Sequence, residues 1–478
     1  MAFDKPTRNA LAKMVGGCRR LLTEDIRTQL QAVYGLQPDS SALALESLGH
    51  LDESGREIAR ELREWQQHLA ATEIGTDSKR NATAFDRMSG ETAFTVLNRL
   101  AALRMCEERG HVVECVRRGM ESDGFQLYER LLSGALGTRP ATYRFFLERM
   151  FEELAVDLGV LFALDIPQSL VFPSDFCLEQ VLRELNAPEL AHLWKQDETI
   201  GWIYQYFNSK EEREAMREKS PAPRNSRELA VRNQFFTPRY VVEFLVDNTL
   251  GRIWYEMREA NTALSEACRY LVRRPTQIFL DEGQTAPTSS VAEESVSQEE
   301  LLRQPVYITH RPKKDPRDLK ILDPACDSGH FLLYAFDLLE TIYEESWADE
   351  QQVLSEVTGN TLRGTYPDLD SLKKGLPELI LLHNLHGIDI DLRACQIAAL
   401  ALWLRAQQSY QRFGFKSCDR PRITRSNIVC AEPMPGEQPL LDKFLSDLQP
   451  NAIAQLVQAV FEKMKLAGDR RGNCRCGS

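Results

Sequence analysis

Residues 321–331 read ILDPACDSGHF, and this stretch decides the fold. The short apolar segment Leu319–Leu322 predicts a buried strand, and Leu332–Trp347 predicts a helix. A tight turn of small residues that begins at Asp323 lies between them. A strand that enters a helix through such a turn places backbone amides and an acidic side chain at the carboxyl edge of a parallel sheet, where ligands bind. We therefore expect Asp323 to face a cationic group of a ligand.

The same alternation of strand and helix continues downstream. A second strand is predicted at Leu385–Ile388, a helix at Leu392–Gln408 and a candidate third strand at Ile423–Cys430. This order is typical of a doubly wound parallel sheet. Asp389 ends the second strand, where an acidic residue can accept hydrogen bonds from both ribose hydroxyls of a nucleoside. Because Asp389 follows Asp323 at much more than the roughly 20 residues of a simple dinucleotide fold, we interpret Ala348–Leu376 as an insertion.

The rest of the chain is predicted to be largely helical, apart from two irregular stretches. Its length of 478 residues is enough for about three domains. A polar stretch within the last large domain, 275–318, is expected to be a mobile loop, because it cannot bury enough apolar surface to order itself. The predicted domains are a helical N-terminal domain at 1–135, a helical connector at 136–225, a ligand-binding region at 226–466 and an irregular tail at 467–478.

Composition and charge exclude several classes of protein. With 43% hydrophobic and 27% charged residues, the chain is an ordinary globular protein rather than a disordered one. A net charge of -12 argues against a general nucleic-acid coat, because counterion release needs many cations facing phosphate. The chain has neither a long apolar run nor an apolar N-terminal region, so a cytoplasmic location without membrane contact is expected. It has no C-x2-C pair, and we expect no metal.

Two further segments carry signals upstream of the sheet. Asn233–Val242 precedes an amphipathic helix that is predicted to extend through Trp254, with Thr237 as the N-cap and Pro238 at the first helical position. The segment Ile200–Asn208 reads IGWIYQYFN, and its four aromatic residues favour a core or interface role over base stacking.

Three of these segments resemble motifs of the adenine-specific DNA methyltransferases. DPACDSG at 323–329 resembles their S-adenosylmethionine loop, DPACGSG, IDID at 388–391 resembles their ribose-binding motif, and FFTPRYVV at 235–242 resembles the motif that covers the methionine end of the cofactor. One departure is Asp327, which stands where the family usually has Gly. A Gly at that position can use positive φ, whereas Asp adds bulk and negative charge.

The resemblance implies S-adenosylmethionine as the cofactor and a set of binding residues. Asp389 would bind the ribose hydroxyls, Ile390 would lie against the adenine ring, and Asn427 is a further candidate contact of the adenine. The complete implied set is Phe236, Thr237, Pro238, Asp323, Pro324, Ala325, Cys326, Ser328, Gly329, Asp389, Ile390 and Asn427.

The catalytic motif of that family, [N/D]-P-P-[Y/F/W], does not occur in this sequence. We therefore expect no catalytic residues here, and we interpret the chain as one that stops before the motif. Together, the helical preamble, IGWIYQYFN and the loop resemble PglX-type methyltransferases of BREX phage-defence systems over roughly residues 84–466. The expected fold is α/β, with a mostly helical N-terminal region followed by an incomplete Rossmann-like methyltransferase domain.

The resemblance implies site-specific methylation of adenine in DNA during phage defence. Double-stranded DNA would be bound through a region missing from this chain, and other defence-system proteins are candidate partners. Two alternatives remain open from the sequence. One is a non-catalytic interaction subunit of a defence complex, and the other is a methyltransferase that acts on protein or small molecules.

Overall fold

The structure of the protein is a computed structural model in which helices predominate. It describes residues 4–39, 41–73, 76–132, 137–196, 198–208, 210–223, 226–233, 237–287, 303–423, 425–431 and 438–467. The chain divides into two units, each of which is described by itself. Unit 1 comprises Met1–Phe235, Ile390–Ile397 and Cys430–Ser478, and unit 2 comprises Phe236–Asp389 and Ala398–Val429.

Unit 1 is built from helices. They are α1 (Lys5–Ala32), α2 (Glu53–Thr72), α3 (Asp77–Glu108), α4 (Asp123–Leu132), α5 (Arg139–Phe162), α6 (Asp175–Leu185), α7 (Glu198–Phe207), α8 (Lys210–Lys219), α9 (Ser226–Asn233), and, near the end of the chain, α17 (Gln438–Asp447) and α18 (Asn451–Ala467). A 3-10 helix at Pro188–Lys195 precedes α7.

Helix α3 lies at the centre of unit 1. Every residue from Thr92 to Cys106 is buried, as expected for a helix that is packed on all sides. It contacts α1, α2, α5 and α7. The buried guanidinium of Arg99 is satisfied by the carbonyl oxygens of Leu161 and Ala163, each at 2.7 Å. Hydrogen bonds to carbonyl oxygens therefore compensate the burial of the Arg99 cation in the core of unit 1.

Unit 2 contains two small sheets and the helices that pack with them. The helices are α10 (Arg239–Val246), α11 (Arg252–Met257), α12 (Leu264–Ala267), α13 (His330–Ala348), α14 (Leu362–Thr365), α15 (Leu369–Leu379) and α16 (Leu392–Arg412), of which residues 392–397 count with unit 1. Two π-helical segments, Asp247–Gly251 and Ile380–Asn384, follow α10 and α15. The strands are β1 (Gln277–Phe279), β2 (Val306–Ile308), β3 (Ile321–Asp323), β4 (Leu385–Asp389) and β5 (Asn427–Cys430), of which Cys430 counts with unit 1.

The larger sheet has the strand order β3-β4-β5. Strands β3 and β4 are parallel, with Ile321 opposite Leu385 and Asp323 opposite Gly387. Helix α13 connects the loop after β3 to the insertion and contacts both of these strands. The predicted strand, helix, strand, helix, strand order of this region is therefore confirmed.

The structure differs from two expectations about the segments before β3. The stretch 275–318, predicted to be a mobile loop, contains β1, β2 and a 3-10 helix at Pro316–Asp318, while its residues 288–302 lie outside the described residues. The first helix after the upstream motif begins at Arg239, with Pro238 at the N-cap position and no side-chain capping bond. The prediction that Thr237 caps this helix is therefore wrong, because the chain enters the helix one residue later than expected.

The remaining expectations about the architecture concern the aromatic segment of α7, the tail and the domain boundary at 135. Trp202, Tyr204 and Phe207 of α7 are buried, so the aromatic segment belongs to a core, as predicted. The tail beyond Ala467 lies outside the described residues. The division of the helical region at 135 remains a prediction. In the described part of the chain, no helix is both long and apolar enough to cross a membrane.

Candidate functional site

The candidate site lies at the carboxyl edge of the three-stranded sheet, where β3 ends at Asp323 and β4 ends at Asp389. Because the two strands are parallel and adjacent, both acidic residues lie at the same edge. The loop 324–329 leaves β3 at this edge and enters α13 at His330. The sequence therefore brings two carboxylates and one tight loop to a single place in unit 2.

Two hydrogen bonds attach the loop to the end of β4. The amide of Cys326 donates to the carbonyl oxygen of Ile388 at 3.0 Å. The amide of Asp327 donates to Oδ2 of Asp389 at 2.9 Å. Within the loop, the amide of Gly329 donates to the carbonyl oxygen of Cys326 at 2.7 Å. The acid that ends β4 is thus part of the same hydrogen-bonded structure as the loop that ends β3.

The loop needs backbone conformations that few residues adopt. Asp327 has φ +45° and Gly329 has φ +82°. At position 329 a Cβ atom would also lie 3.2 Å from Cβ of Ala398, so Gly permits both the conformation and the close approach of the two helices. Asp is among the non-glycine residues that tolerate this region best. Asp327 therefore adopts a positive φ of the kind that Gly adopts most readily.

A second glycine lets the loop and strands pack closely. At Gly387 a Cβ atom would lie 2.7 Å from Cδ1 of Ile428, 3.0 Å from Cδ1 of Leu332 and 3.1 Å from Sγ of Cys326. Real side chains do not approach so closely. Gly387 therefore lets β4 approach α13, β5 and the loop without displacing the ends of these side chains.

The electrostatics of the edge favour a positively charged ligand group. Oδ1 of Asp323 accepts a hydrogen bond from the amide of Ala325 at 3.2 Å, whereas its buried Oδ2 has no hydrogen-bond partner among the described residues. Burial raises the pKa of Asp323, and the nearby charge of Asp389 raises it further, against the lowering effect of the Ala325 amide. A cation placed beside Asp323 would relieve both costs.

The Cys326 and His330 side chains near the acids are uncharged at neutral pH. Burial, with the charges of the neighbouring acids, raises the pKa of the Cys326 thiol to about 12, so it is not a thiolate nucleophile at neutral pH. Burial lowers the pKa of His330 to about 4, which keeps its imidazole neutral. Its Nδ1 lies 3.2 Å from Oγ of Ser328. In the described residues no group of three His, Cys, Asp or Glu side chains could hold a metal ion.

Most of the predicted residues lie together at this edge. Cys326, Ser328 and Gly329 are buried within the loop, and Pro324 and Ala325 form its exposed outer part. They stand with Asp323 and Asp389. Ile390 follows Asp389 in the chain and is 39% exposed, so its side chain has a free apolar surface.

Three predicted residues are not brought into this group. Phe236 lies outside the described residues. Thr237 and Pro238 precede α10, which packs against α13, but no hydrogen bond between described residues joins them to the loop. Their proposed role as a cover of the cofactor remains a prediction.

The position of Asn427 corrects the expectation that it contacts an adenine. It is the first residue of β5, and its amide nitrogen donates to the carbonyl oxygens of Leu381, Leu382 and Leu385 at 3.0, 3.0 and 3.2 Å. Leu385 begins β4. Asn427 therefore lies at the amino end of the sheet, opposite the edge that carries Asp389, and its amide group is already bonded.

Sequence reasoning missed Gly387 and the two hydrogen bonds that join the loop to β4. A signal for Gly387 was present, because Gly inside a predicted strand often marks a close backbone approach. No local pattern signals the bond from Asp327 to Asp389, which lie 62 residues apart.

Comparison with known proteins gives the class of this region. A model described as MmeI, DNA-methyltransferase domain, matches residues 311–431, the span that contains β3, β4, β5 and the loop. This part of the chain, with its parallel strands β3 and β4 and connecting helices, is therefore similar to a DNA-methyltransferase domain.

The particular relatives are adenine-specific methyltransferases, to which the chain is homologous. It is 28% identical over 352 residues to adenine-specific methyltransferase BrxX from Escherichia coli O9:H4 (strain HS), which covers 69% of this chain and 25% of the relative. It is 27% identical over 221 residues to adenine-specific methyltransferase PglX from Lacticaseibacillus casei (strain Zhang), which covers 45% of this chain and 14% of the relative. The chain thus spans a quarter or less of the length of these two relatives.

Proposed function

We propose that this chain is the cofactor-binding part of an S-adenosylmethionine-dependent, adenine-specific DNA methyltransferase with a Rossmann-like domain. The observation that carries the proposal is the hydrogen bond from the amide of Asp327 to Asp389, because it joins the two motifs of the sequence at one sheet edge. The names of the homologous proteins support the adenine specificity. Phage defence, as in BREX systems, is the biological setting that we propose.

The residues at the edge fit the cofactor in three respects. Oδ2 of Asp323, which has no partner among the residues that the structure describes, can accept a hydrogen bond from the ammonium group of the methionine part. The carboxylate of Asp389 can accept from ribose hydroxyls, and exposed Ile390 offers an apolar surface to the adenine ring. Because Gly329 has no side chain, the backbone of the loop can approach the cofactor closely.

This chain's own residues bind and orient the cofactor rather than react. When bound, S-adenosylmethionine supplies an electrophilic methyl group on its sulfonium. Asp323 would bind the ammonium group of the methionine part, and Asp389 would bind the ribose hydroxyls. Contacts at both ends would align the methyl group for a target that the rest of the enzyme binds. Such a target would be an adenine extruded from the DNA duplex.

The proposal predicts binding of S-adenosylmethionine by the isolated chain, measured by isothermal titration calorimetry. Asp389→Ala should weaken binding by about tenfold or more, because the ribose loses its acceptor and Asp327 loses a partner. Asp419→Ala removes an exposed acid elsewhere in unit 2 and serves as the matched control. Wild-type protein that folds but binds no S-adenosylmethionine would contradict the proposal.

Methyl transfer is the second measurement. Because the sequence contains no Pro-Pro pair, we expect the isolated chain to transfer no tritiated methyl group to unmethylated DNA. Transfer that exceeds a no-enzyme control and disappears in Asp389→Ala would show that another part of this chain supplies the catalytic contacts.

A further inference from the structure

The segment Ile200–Asn208 lies mostly in α7 and takes no part in the cofactor site described above. Within unit 1 it is bonded to the turn that begins α16. The hydroxyl of Tyr204 donates to Oδ2 of Asp391 at 3.1 Å, and Oδ1 of Asn208 accepts from Nη1 of Arg393 at 2.7 Å. Two polar groups of the aromatic segment are therefore hydrogen-bonded to two residues of one turn, Asp391 and Arg393.

Asp391 and Arg393 form a buried ion pair inside this arrangement. Nε and Nη2 of Arg393 donate to the two carboxylate oxygens of Asp391 at 2.9 and 2.6 Å, and the backbone amide of Arg393 donates to Oδ1 at 3.0 Å. The side chain of Arg393 is only 14% exposed and that of Asp391 only 9%. Although burial alone would raise the pKa of Asp391, Arg393 holds it below the usual value, so the acid remains ionised.

Aromatic rings enclose the guanidinium of Arg393. Its central carbon lies 5.4 Å from the ring centroid of Phe94 and 5.9 Å from that of Tyr204. The rings of Phe94 and Tyr204 pack edge to face, with centroids 5.9 Å apart. The hydrogen bonds of Arg393 and Asp391 fix the orientation of both side chains. The turn consequently has one favoured geometry.

A buried ion pair of this kind contributes little net free energy to the stability of the fold. Desolvation of both charges offsets most of their attraction, and well-packed apolar residues would stabilise a core as well or better. Directional bonds do fix the orientation of the backbone that carries them. Here that backbone is residues 390–393, which begin directly after Asp389 in the chain.

We propose that Tyr204 and Asn208 are positioning residues for the adenosine end of the cofactor, acting through the Asp391–Arg393 turn. By orienting this turn, they set the direction of the exposed Ile390 side chain, which belongs to the same unit. This inference rests on the proposed function. It assigns a role to a segment that the cofactor-binding motifs do not include.

Calorimetry with two probes tests the inference. S-adenosylmethionine contains both ends of the cofactor, whereas methylthioadenosine lacks the amino-acid end. Tyr204→Phe and Asn208→Leu should each weaken both probes by the same factor, about three- to tenfold, since each removes one hydrogen bond from the turn. Asp323→Asn should weaken S-adenosylmethionine only, because it acts at the ammonium end.

Two further variants separate positioning from folding. Tyr206→Phe removes a hydroxyl from the same helix, where the ring stacks on Trp202 instead of facing the turn, and should leave both affinities unchanged. Asn208→Asp keeps an oxygen acceptor for Arg393 and should retain affinity that Asn208→Leu loses. If Asn208→Leu does not fold, Tyr204→Phe still provides the test, because it keeps the buried ring.

The outcomes are distinguishable. Wild-type protein that binds neither probe overturns the proposed function and this inference with it. Wild-type binding with affinities of Tyr204→Phe and Asn208→Leu within twofold of normal overturns this inference alone. A lower melting temperature of these variants with unchanged affinity shows a purely structural role and also overturns it.

Discussion

The two ends of the three-stranded sheet treat buried polar groups in opposite ways. At the amino end, Asp315 and Arg317 form an ion pair in which each side chain is 1% exposed. Arg317 bonds both oxygens of Asp315, at 2.7 and 2.8 Å, and also donates to the carbonyl oxygen of Asn360 at 2.7 Å. The charges of this pair are fully compensated by neighbours.

Amide side chains complete the amino end. Asn384 donates to the carbonyl oxygens of Pro316 and Leu319 at 2.6 and 2.8 Å and accepts from the hydroxyl of Tyr343 at 3.0 Å. Asn427 adds its bonds to the carbonyls that precede and begin β4. Such a satisfied network specifies how the strands enter the sheet.

At the carboxyl end, by contrast, buried polar groups are incompletely satisfied and the backbone is strained. One oxygen of Asp323 has no partner among the described residues, its pKa is raised, and Asp327 adopts a positive φ. Proteins accept such local costs mainly where a ligand compensates them. The comparison teaches that the polar network of the amino end fixes how the strands enter the sheet and that the carboxyl end is shaped for binding. Each prediction below tests one side of this division.

The largest effect is expected from Arg317→Met. It leaves the carboxylate of Asp315 buried without its cation, which should lower the free energy of unfolding by about 3–5 kcal/mol. Urea denaturation followed by circular dichroism measures the change. Lys314→Met, at a neighbouring position with a 46% exposed side chain, is the control and should change stability by no more than about 0.5 kcal/mol. The double variant Asp315→Leu/Arg317→Met should recover most of the loss, and failure to do so would contradict the assignment of the cost to an unpaired charge.

Asn427→Leu tests the amino end from β5. Backbone carbonyls would lose their donor, and stability should fall by about 1–3 kcal/mol. Affinity for S-adenosylmethionine, measured by calorimetry at a temperature where the variant is folded, should stay within twofold of wild type. A loss of affinity as large as that of Asp389→Ala would show that the two ends are not functionally separate.

Asp323→Asn should increase the free energy of unfolding at pH 7, whereas the two changes at the amino end should lower it. The raised pKa means that the folded state binds a proton at Asp323 more tightly than the unfolded state does. The stability contributed by this group is therefore present below pH 3.8 and is lost as the pH rises through the raised folded value. Asn does not titrate, so at pH 7 the variant should be more stable than wild type by up to about 1 kcal/mol.

A pH series of urea denaturations checks this result. The advantage of Asp323→Asn over wild type should shrink as the pH falls toward 3.8. S-adenosylmethionine affinity should fall in the same variant, because the neutral amide replaces the partner of a cation. A variant that is less stable than wild type at pH 7 would indicate that Asp323 stabilises the fold instead of the ligand.

The sequence predicted the carboxyl end better than the amino end. Apolar segments and the turn after Asp323 located β3, α13, β4 and α16, because strands and helices leave local periodic patterns. The role of Asn427 was not predictable in this way. Its partners lie 42–46 residues earlier, and only the folded chain brings them together. The bond from Tyr204 to Asp391 spans 187 residues and was hidden for the same reason.

The smallest change in stability is expected at the carboxyl end itself, from Asp327→Gly. Gly removes the strain of φ +45° but gains conformational freedom in the unfolded chain, so the two effects should nearly cancel, within about 1 kcal/mol. Affinity for S-adenosylmethionine should instead increase by about three- to tenfold, because the bulk of the Asp327 side chain leaves the loop. Asp327→Asn separates the causes, since it removes the charge and keeps the size. If only Gly improves binding, bulk is the obstacle, whereas equal gains identify charge. Unchanged affinity in both variants would mean that the side chain of Asp327 points away from the ligand and that only its backbone amide contributes.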